Sequence, residues 1–149
     1  MKLTKAERSW ILYDVANSAF TMVLTATIPV FFAALVDNAS IESVTNNFLV
    51  KTLFFKNAEL ALSGNIDAYA ALKTSLFGLT TTVAVIIVAF IAPIIGAIAD
   101  HKGMKKKMFS VSLLIGVSGL LSLGVTSDWF AYLYLIIIAR IGYSAANIF

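Results

Sequence analysis

The run Thr74–Ala99, TSLFGLTTTVAVIIVAFIAPIIGAIA, decides the fold, because its 26 residues include no charged side chain. An α-helix rises about 1.5 Å per residue, so roughly 20 apolar residues cross a hydrocarbon core about 30 Å thick. The run therefore predicts a membrane-spanning helix. A transmembrane β-strand would instead show alternating hydrophobicity over about ten residues, and this run does not alternate.

Three further runs have the same character. Val15–Val36 and Met108–Ser127 carry no charge over 22 and 20 residues, and Trp129–Phe149 carries one charge over 21. We predict an all-α, polytopic membrane protein with four membrane-spanning helices. The predicted order is a cytoplasmic tail at 1–9, helices at 10–36, 74–100, 108–127 and 129–149, an extracytoplasmic loop at 37–73 and a cytoplasmic loop at 101–107.

The composition excludes other classes of protein. Apolar residues make up 60% of the 149-residue chain and charged residues 13%, about half the share of roughly 25% in soluble domains. Such a chain is too apolar for a soluble fold or for intrinsic disorder. It has no cysteine and one histidine, which exclude a disulfide framework and a histidine-rich metal centre. Since no nucleophile–base pair or nucleotide-binding loop is recognisable, we predict no catalytic residue, metal site or cofactor.

The distribution of lysine and arginine predicts the orientation. Three basic residues lie in the first nine residues and four at 101–107, whereas the 37–73 segment has three basic residues and four acidic ones. We therefore expect the N-terminus and the 101–107 loop in the cytoplasm, in a bacterial plasma membrane. The net charge of +3 then reflects membrane topology, and the bilayer rather than nucleic acid is the expected partner. A removable signal peptide does not fit, because Asp14 and Asn17 lie near the start of the apolar run.

The 37–73 segment allows two interpretations. Asn46–Asn47 and Ser63–Asn65 are turn signals. Between them, Phe48–Phe55 and Ala58–Leu62 have the composition of short interfacial helices. A flexible external loop is an equal alternative.

Polar residues form a stripe on the first predicted helix. Their offsets from the first member are 3, 4, 7 and 11, which places all of them on one helical face. The stripe indicates either the wall of an aqueous cavity or hydrogen bonding between packed helices. A carboxylate at the centre of a bilayer costs roughly 2.5–3.5 kcal/mol, which favours the functional interpretation. The members are Asp14, Asn17, Ser18, Thr21 and Thr25.

The fourth predicted helix has a similar face, formed by Arg140, Ser144 and Asn147. Asp14 and Arg140 are the only formal charges well inside the predicted spans, at depths of about 6 Å and roughly 13 Å from the cytoplasmic side. We hypothesise that they form an ion pair in at least one conformation. An acid and an arginine in one cavity suit a zwitterion such as an amino acid, and they equally suit proton coupling through Asp14. The alternative for Arg140 is snorkelling to the interface.

Small residues on the second and third predicted helices are interpreted as packing surfaces. Pro93 is expected to kink the second helix. The small residues are Ala89, Ala92 and Gly96 on the second helix, and Ser112, Gly116 and Gly119 on the third.

The loop after the second helix combines glycines, an acid and a basic run. Asp100 is placed to cap a neighbouring helix or to pair with a cation, and Gly103 permits the chain reversal. Lys105 and Lys106 are expected to hold the loop at the anionic leaflet. The sequence from Gly96 to Lys107 is GAIADHKGMKKK.

This loop resembles the signature of the major facilitator superfamily, with matches at Gly96, Asp100, Gly103 and Lys105 and with His101 where an arginine or lysine is usual. A narrower resemblance to the vacuole-effluxer-like branch, which includes the autophagy-linked vacuolar amino-acid permease, extends over the whole chain. Its motifs here are WILYDVANSAF at Trp10–Phe20, APIIGAIAD at Ala92–Asp100 and RIGYSAANIF at Arg140–Phe149.

The resemblance implies a secondary transporter built from two six-helix halves, with a small-molecule substrate between them. The first and fourth helices would line the cavity, and Asp100 would help hold the outward-facing state against the second half. The four helices would form part of the N-terminal half, so the chain is expected to be an N-terminal fragment that lacks the C-terminal helices. The alternative is a truncated remnant, or a small membrane subunit that does not itself transport and that packs with other helices.

Overall fold

A computed structural model describes residues 4–149, so Lys2 of the predicted tail lies outside the described part. The described residues form helices and turns, without a β-strand among them. A π-helical turn, Val23–Thr27, follows the first helix. The α-helices are α1 (Lys5–Met22), α2 (Ile28–Asn38), α3 (Ile41–Thr45), α4 (Phe48–Leu53), α5 (Phe55–Leu62), α6 (Ile66–Ala99), α7 (Met104–Leu123) and α8 (Trp129–Ala146).

Four helical segments of the described chain are long and apolar enough to cross a membrane. They are Lys5–Asn38, Ile66–Ala99, Met104–Leu123 and Trp129–Ala146. The prediction of an all-α membrane protein with four spans is thereby confirmed.

The helices and the predicted spans differ at their ends. The α6 helix begins at Ile66, where the Asn65 side chain accepts a hydrogen bond from the Ala68 N–H, eight residues before the predicted span at 74–100. It continues as one helix through Pro93. The α7 helix begins at Met104, so most of the basic run predicted as loop forms its first turn. Because helices extend beyond the hydrocarbon core, the membrane boundaries stay predictions.

The chain divides into two compact units, Met1–Ala34 and Leu35–Phe149. In the first unit, Thr4 and Glu7 form a capping box that starts α1: the Glu7 N–H donates to Thr4 Oγ1 at 3.3 Å and the Thr4 N–H to Glu7 Oε2 at 2.7 Å. This exchange satisfies two backbone donors that would otherwise lack partners.

The π-helical turn lies just before Pro29. Proline has no N–H to donate, and its ring clashes with the carbonyl four residues earlier, here that of Thr25. A wider turn relieves this clash, and the Ile28 N–H accordingly donates to the Val23 carbonyl five residues back. Such π-bulges are frequent at functional sites.

In the second unit, α7 and α8 pack backbone against backbone. A Cβ atom added to Gly142 would overlap Gly116 N and lie 2.7 Å from Gly116 Cα, and one added to Gly119 would lie 3.0 Å from Ala139 Cα. Ser112 is buried on the same face of α7. The packing interpretation is confirmed for this small-residue stripe. On α6 it is not supported at Gly96, because a Cβ there would meet nothing within 4 Å among the described residues.

The segment between α2 and α6 is helical rather than irregular, so the helical part of the first interpretation is confirmed and the interfacial location stays a prediction. Ser40 and Asn47 cap α3 and α4 through side-chain oxygens. Each of the three short helices also buries at least one small or medium-sized apolar side chain. The buried apolar residues are Val44, Val50, Ala58 and Ala61.

Two polar contacts join the end of α2 to the start of α6. Lys73 Nζ donates to Asp37 Oδ1 at 2.6 Å, and the Tyr69 hydroxyl donates to the Val36 carbonyl at 2.9 Å. The Lys73 ammonium also lies 5.2 Å from the centre of the Tyr69 ring. We call these four residues the α2–α6 clamp.

Candidate functional site

The polar face of α1 is open in the structure. Asp14 and Ser18 are exposed and Asn17 is partly exposed. The hydroxyl of Thr21 donates to the Asn17 carbonyl at 3.0 Å, and that of Thr25 to the Thr21 carbonyl at 2.8 Å. These threonine hydroxyls are satisfied within their own helix, which is how such groups are tolerated in apolar surroundings. Asp14 is therefore the residue of this face that carries a formal charge.

Thr25 lies within the π-helical turn, which the regular spacing of the stripe does not predict. That spacing places the stripe on one face of a regular α-helix, and the wider turn changes the angular step at its last member. Pro29 was the available signal, because a proline inside a long apolar run disturbs the preceding turn.

Arg140 lies in the middle of α8 and is partly exposed. Its Nε atom is buried and has no hydrogen-bond partner among the described residues. A buried donor without a partner costs free energy, and more so when the group is charged. The guanidinium is thus a strong binding group for an acceptor such as a carboxylate.

The other two residues of the α8 face, Ser144 and Asn147, differ in their positions relative to the helix end. Ser144 is partly exposed within the helix, four residues after Arg140. Asn147 lies at the C-cap, and its side-chain amide donates to the Tyr143 carbonyl at 3.2 Å. Asn147 therefore has a local role in ending the helix.

The turn between α6 and α7 is tighter than the predicted loop. The Asp100 N–H donates to the Gly96 carbonyl at 3.1 Å and ends α6. Gly103 has φ of +84°, a left-handed conformation, and it immediately precedes α7. The expectation that Gly103 permits the reversal is confirmed.

The side chain of Asp100 makes a loose contact in this turn. Its Oδ1 atom lies 4.0 Å from Lys105 Nζ, and both side chains are exposed. It does not cap α7, which has no side-chain cap. Of the two expected roles, pairing with a cation fits the structure, and Lys106 is also exposed nearby in sequence. An exposed pair at this distance contributes little to stability, so the carboxylate remains available to a stronger partner.

The comparisons with known proteins agree with these features. The chain is 34% identical over 150 residues to a protein of Bacillus subtilis (strain 168) described as the uncharacterized MFS-type transporter YxiO. This match covers 99% of the chain and 29% of that relative, so the chain spans less than a third of the relative's length. No solved structure matches the chain. The family model described as vacuole effluxer Atg22 like matches residues 4–149. The chain therefore belongs to the vacuole effluxer Atg22-like family.

Proposed function

We propose that this chain forms part of a secondary active transporter that moves a small solute across a membrane by alternating access. The observation that carries the proposal is the family match over residues 4–149, together with the similarity to an MFS-type transporter. Since the chain spans 29% of that relative, the proposal includes further C-terminal helices that complete the transport path.

The polar face of α1 and the Arg140 face of α8 line this path. Asp14 supplies an exposed carboxylate, and Arg140 supplies a guanidinium whose buried Nε has no partner among the described residues. Charged groups within membrane spans usually face a bundle interior or a water-filled cavity, where they have partners. Asp14 and Arg140 neutralise each other in at least one conformation and bind the substrate in another.

The substrate is a zwitterion such as an amino acid. Arg140 binds its carboxylate in a two-pronged geometry that a guanidinium favours, and Asp14 binds its ammonium group. Protonation of Asp14 then couples transport to the proton gradient, because a neutral carboxylic acid releases both the ammonium group and the arginine.

The α6–α7 turn serves as a gate on the cytoplasmic side of a bacterial plasma membrane. Its basic residues and those of the N-terminal tail orient the protein. Asp100, which lies 4.0 Å from Lys105, exchanges this weak contact for a cation on another helix when the transporter faces outward. The open space beside Gly96 leaves room for that helix.

The test is uptake by the full-length transporter in proteoliposomes, with a panel of radiolabelled amino acids and with and without an inward proton gradient. We expect saturable uptake of a subset of amino acids, and a loss of at least 10-fold in Asp14→Asn and in Arg140→Gln at equal protein content. Glu42→Gln is the matched control, because it removes a carboxylate from an exposed position of α3. Unchanged uptake in both span variants would contradict the assigned path, and stimulation by the gradient that persists in Asp14→Asn would contradict its coupling role.

A further inference from the structure

The segment between α2 and α6 exposes large apolar side chains in a regular series. Phe48, Phe55 and Leu62 follow one another at intervals of seven residues. Their exposed fractions are 81%, 66% and 55%. Phenylalanines exposed to this extent are unusual on a surface that faces only water.

Other side chains of the same two helices are used in packing. Val50 on α4 and Ala58 and Ala61 on α5 are buried. Ala58 lies three residues after Phe55 and four before Leu62, so buried and exposed residues share one side of α5. The small alanine side chain is covered there, whereas the larger side chains of Phe55 and Leu62 are exposed.

The backbone of this segment suits the polar headgroup region rather than the hydrocarbon core. Three short helices bond part of it internally, and the side chains of Ser40 and Asn47 cap two of the helix starts, whereas α5, which begins at Phe55, has no side-chain cap. Unsatisfied backbone groups are costly wherever water is scarce. The headgroup region, unlike the hydrocarbon core, offers polar partners to the donors that stay open at the start of α5.

Each phenylalanine has a lysine within one helical turn. Lys51 follows Phe48 by three positions, Lys56 is adjacent to Phe55, and both lysines are exposed. A phenyl ring at the acyl boundary with an ammonium group at the level of the phosphates is the arrangement typical of interfacial helices. Glu42 and Glu59 are also exposed in residues 40–62, so the segment has no net charge and the attraction is local, between each lysine and a phosphate oxygen.

The location of the segment brings it to the bilayer surface. It lies between two helices that are long enough to span, one ending at Asn38 and one beginning at Ile66. The α6 helix has 34 residues, about 51 Å at 1.5 Å per residue, which exceeds a hydrocarbon core of about 30 Å. The start of α6, to which α5 leads through Ser63–Asn65, can therefore lie in the headgroup region.

We propose that residues 40–62 form an interfacial anchor in the leaflet opposite the α6–α7 turn, with Phe48, Phe55 and Leu62 inserted at the acyl boundary and Lys51 and Lys56 at the phosphates. The partner is the phospholipid interface. This anchor fixes the height of the first two spans in the bilayer. It does not depend on the proposed substrate, path or coupling.

The experiment uses site-directed spin labels, because residues 1–149 contain no cysteine; any cysteine elsewhere in the full-length transporter is first replaced by serine. Phe48→Cys, Phe55→Cys and Leu62→Cys are made singly in the full-length transporter, labelled, and reconstituted into phosphatidylcholine–phosphatidylglycerol nanodiscs. Relaxation of each label by oxygen, which concentrates in lipid, is compared with relaxation by an aqueous nickel chelate. Asn46→Cys, an exposed polar position in the same segment, is the control.

We expect the oxygen-to-nickel accessibility ratio to be at least 5-fold higher at positions 48, 55 and 62 than at position 46. Ratios equal to that of position 46 would overturn the proposal in favour of an aqueous surface. Low accessibility to both reagents at all three positions would overturn it in favour of a protein contact. A second set, with Phe48→Trp or Phe55→Trp in a Trp10→Phe, Trp129→Phe background and brominated lipids as quenchers, decides the outcome if a labelled variant does not fold.

Discussion

The contact between α7 and α8 and the side chain of Arg140 differ in whether the described residues supply their partners. Between α7 and α8, small residues bring two backbones into contact, so that a Cβ on Gly142 would overlap the backbone nitrogen of Gly116. On α8 itself, the Nε of Arg140 is buried without a partner among the described residues. The packing positions are thus filled by described residues, whereas the Nε atom of Arg140 has no hydrogen-bond partner among them. This difference separates residues that build the fold from residues that we assign to transport.

The largest effect on stability is expected at the helix contact. Gly142→Ala places a methyl group against the backbone of Gly116, and two backbones cannot move as a flexible side chain can. We expect a loss of about 2 kcal/mol or more, within the upper range for overpacked cores, measured as a lower unfolding temperature in detergent. Gly78→Ala is the matched control, because a Cβ there meets nothing within 4 Å. Equal stability of the two variants would contradict the close contact.

The next effect is on transport rather than stability. Arg140→Gln removes a guanidinium whose Nε lacks a partner among the described residues, so the folded protein loses no hydrogen bond of that atom. We expect uptake to fall at least 10-fold, about 1.4 kcal/mol or more, while the unfolding temperature stays equal or rises. A lower unfolding temperature with unchanged uptake would instead assign Arg140 to the fold.

A smaller effect is expected at the α2–α6 clamp. The side chain of Lys73 is 18% exposed and that of Asp37 is 52% exposed, so solvent screens their 2.6 Å contact in part. Asp37→Asn should therefore destabilise the protein by at most about 1 kcal/mol. The exchange variant Asp37→Lys with Lys73→Asp should recover part of the loss in low salt. A double-mutant cycle that shows no coupling would contradict the clamp.

The smallest effect on stability is expected at the α6–α7 turn. The Asp100 and Lys105 side chains are both exposed and 4.0 Å apart, a geometry that contributes little. Asp100→Asn should change the free energy of unfolding by less than about 0.5 kcal/mol, while it alters the ratio of inward to outward transport rates if this turn is the gate. Loss of stability comparable with that of Gly142→Ala would show that Asp100 builds the fold.

Much of this fold follows from local sequence. Long uncharged runs predict the four spans, because only helix length and apolarity decide whether a segment crosses a bilayer. The reversal at Gly103 and the tight contact at Gly116 also follow from residue type and spacing. Two features did not follow. The π-helical turn breaks the regular helical step that a polar stripe assumes, and the Asp37–Lys73 contact joins residues 36 positions apart.

The candidate site was less predictable than the fold. The polar stripe on α1 and the position of Arg140 were recognisable from spacing alone. The use of Asn147 as a helix end, and the buried Nε of Arg140, depend on where α8 ends and packs. Local sequence patterns do not determine where α8 ends or what it packs against. They also do not specify which groups Asp14 and Arg140 would contact in the proposed transport.

The central claim, that the polar face of α1 lines an aqueous path, is tested most directly by cysteine accessibility in the full-length transporter. Asn17→Cys and Thr21→Cys lie on this face, whereas Leu12→Cys and Ala16→Cys replace exposed apolar residues on the opposite side of the same helix. With a membrane-impermeant thiol reagent, we predict modification at positions 17 and 21, slowed by substrate, and none at 12 and 16. Modification at 12 and 16 with positions 17 and 21 unreactive in every transport state would contradict the claim.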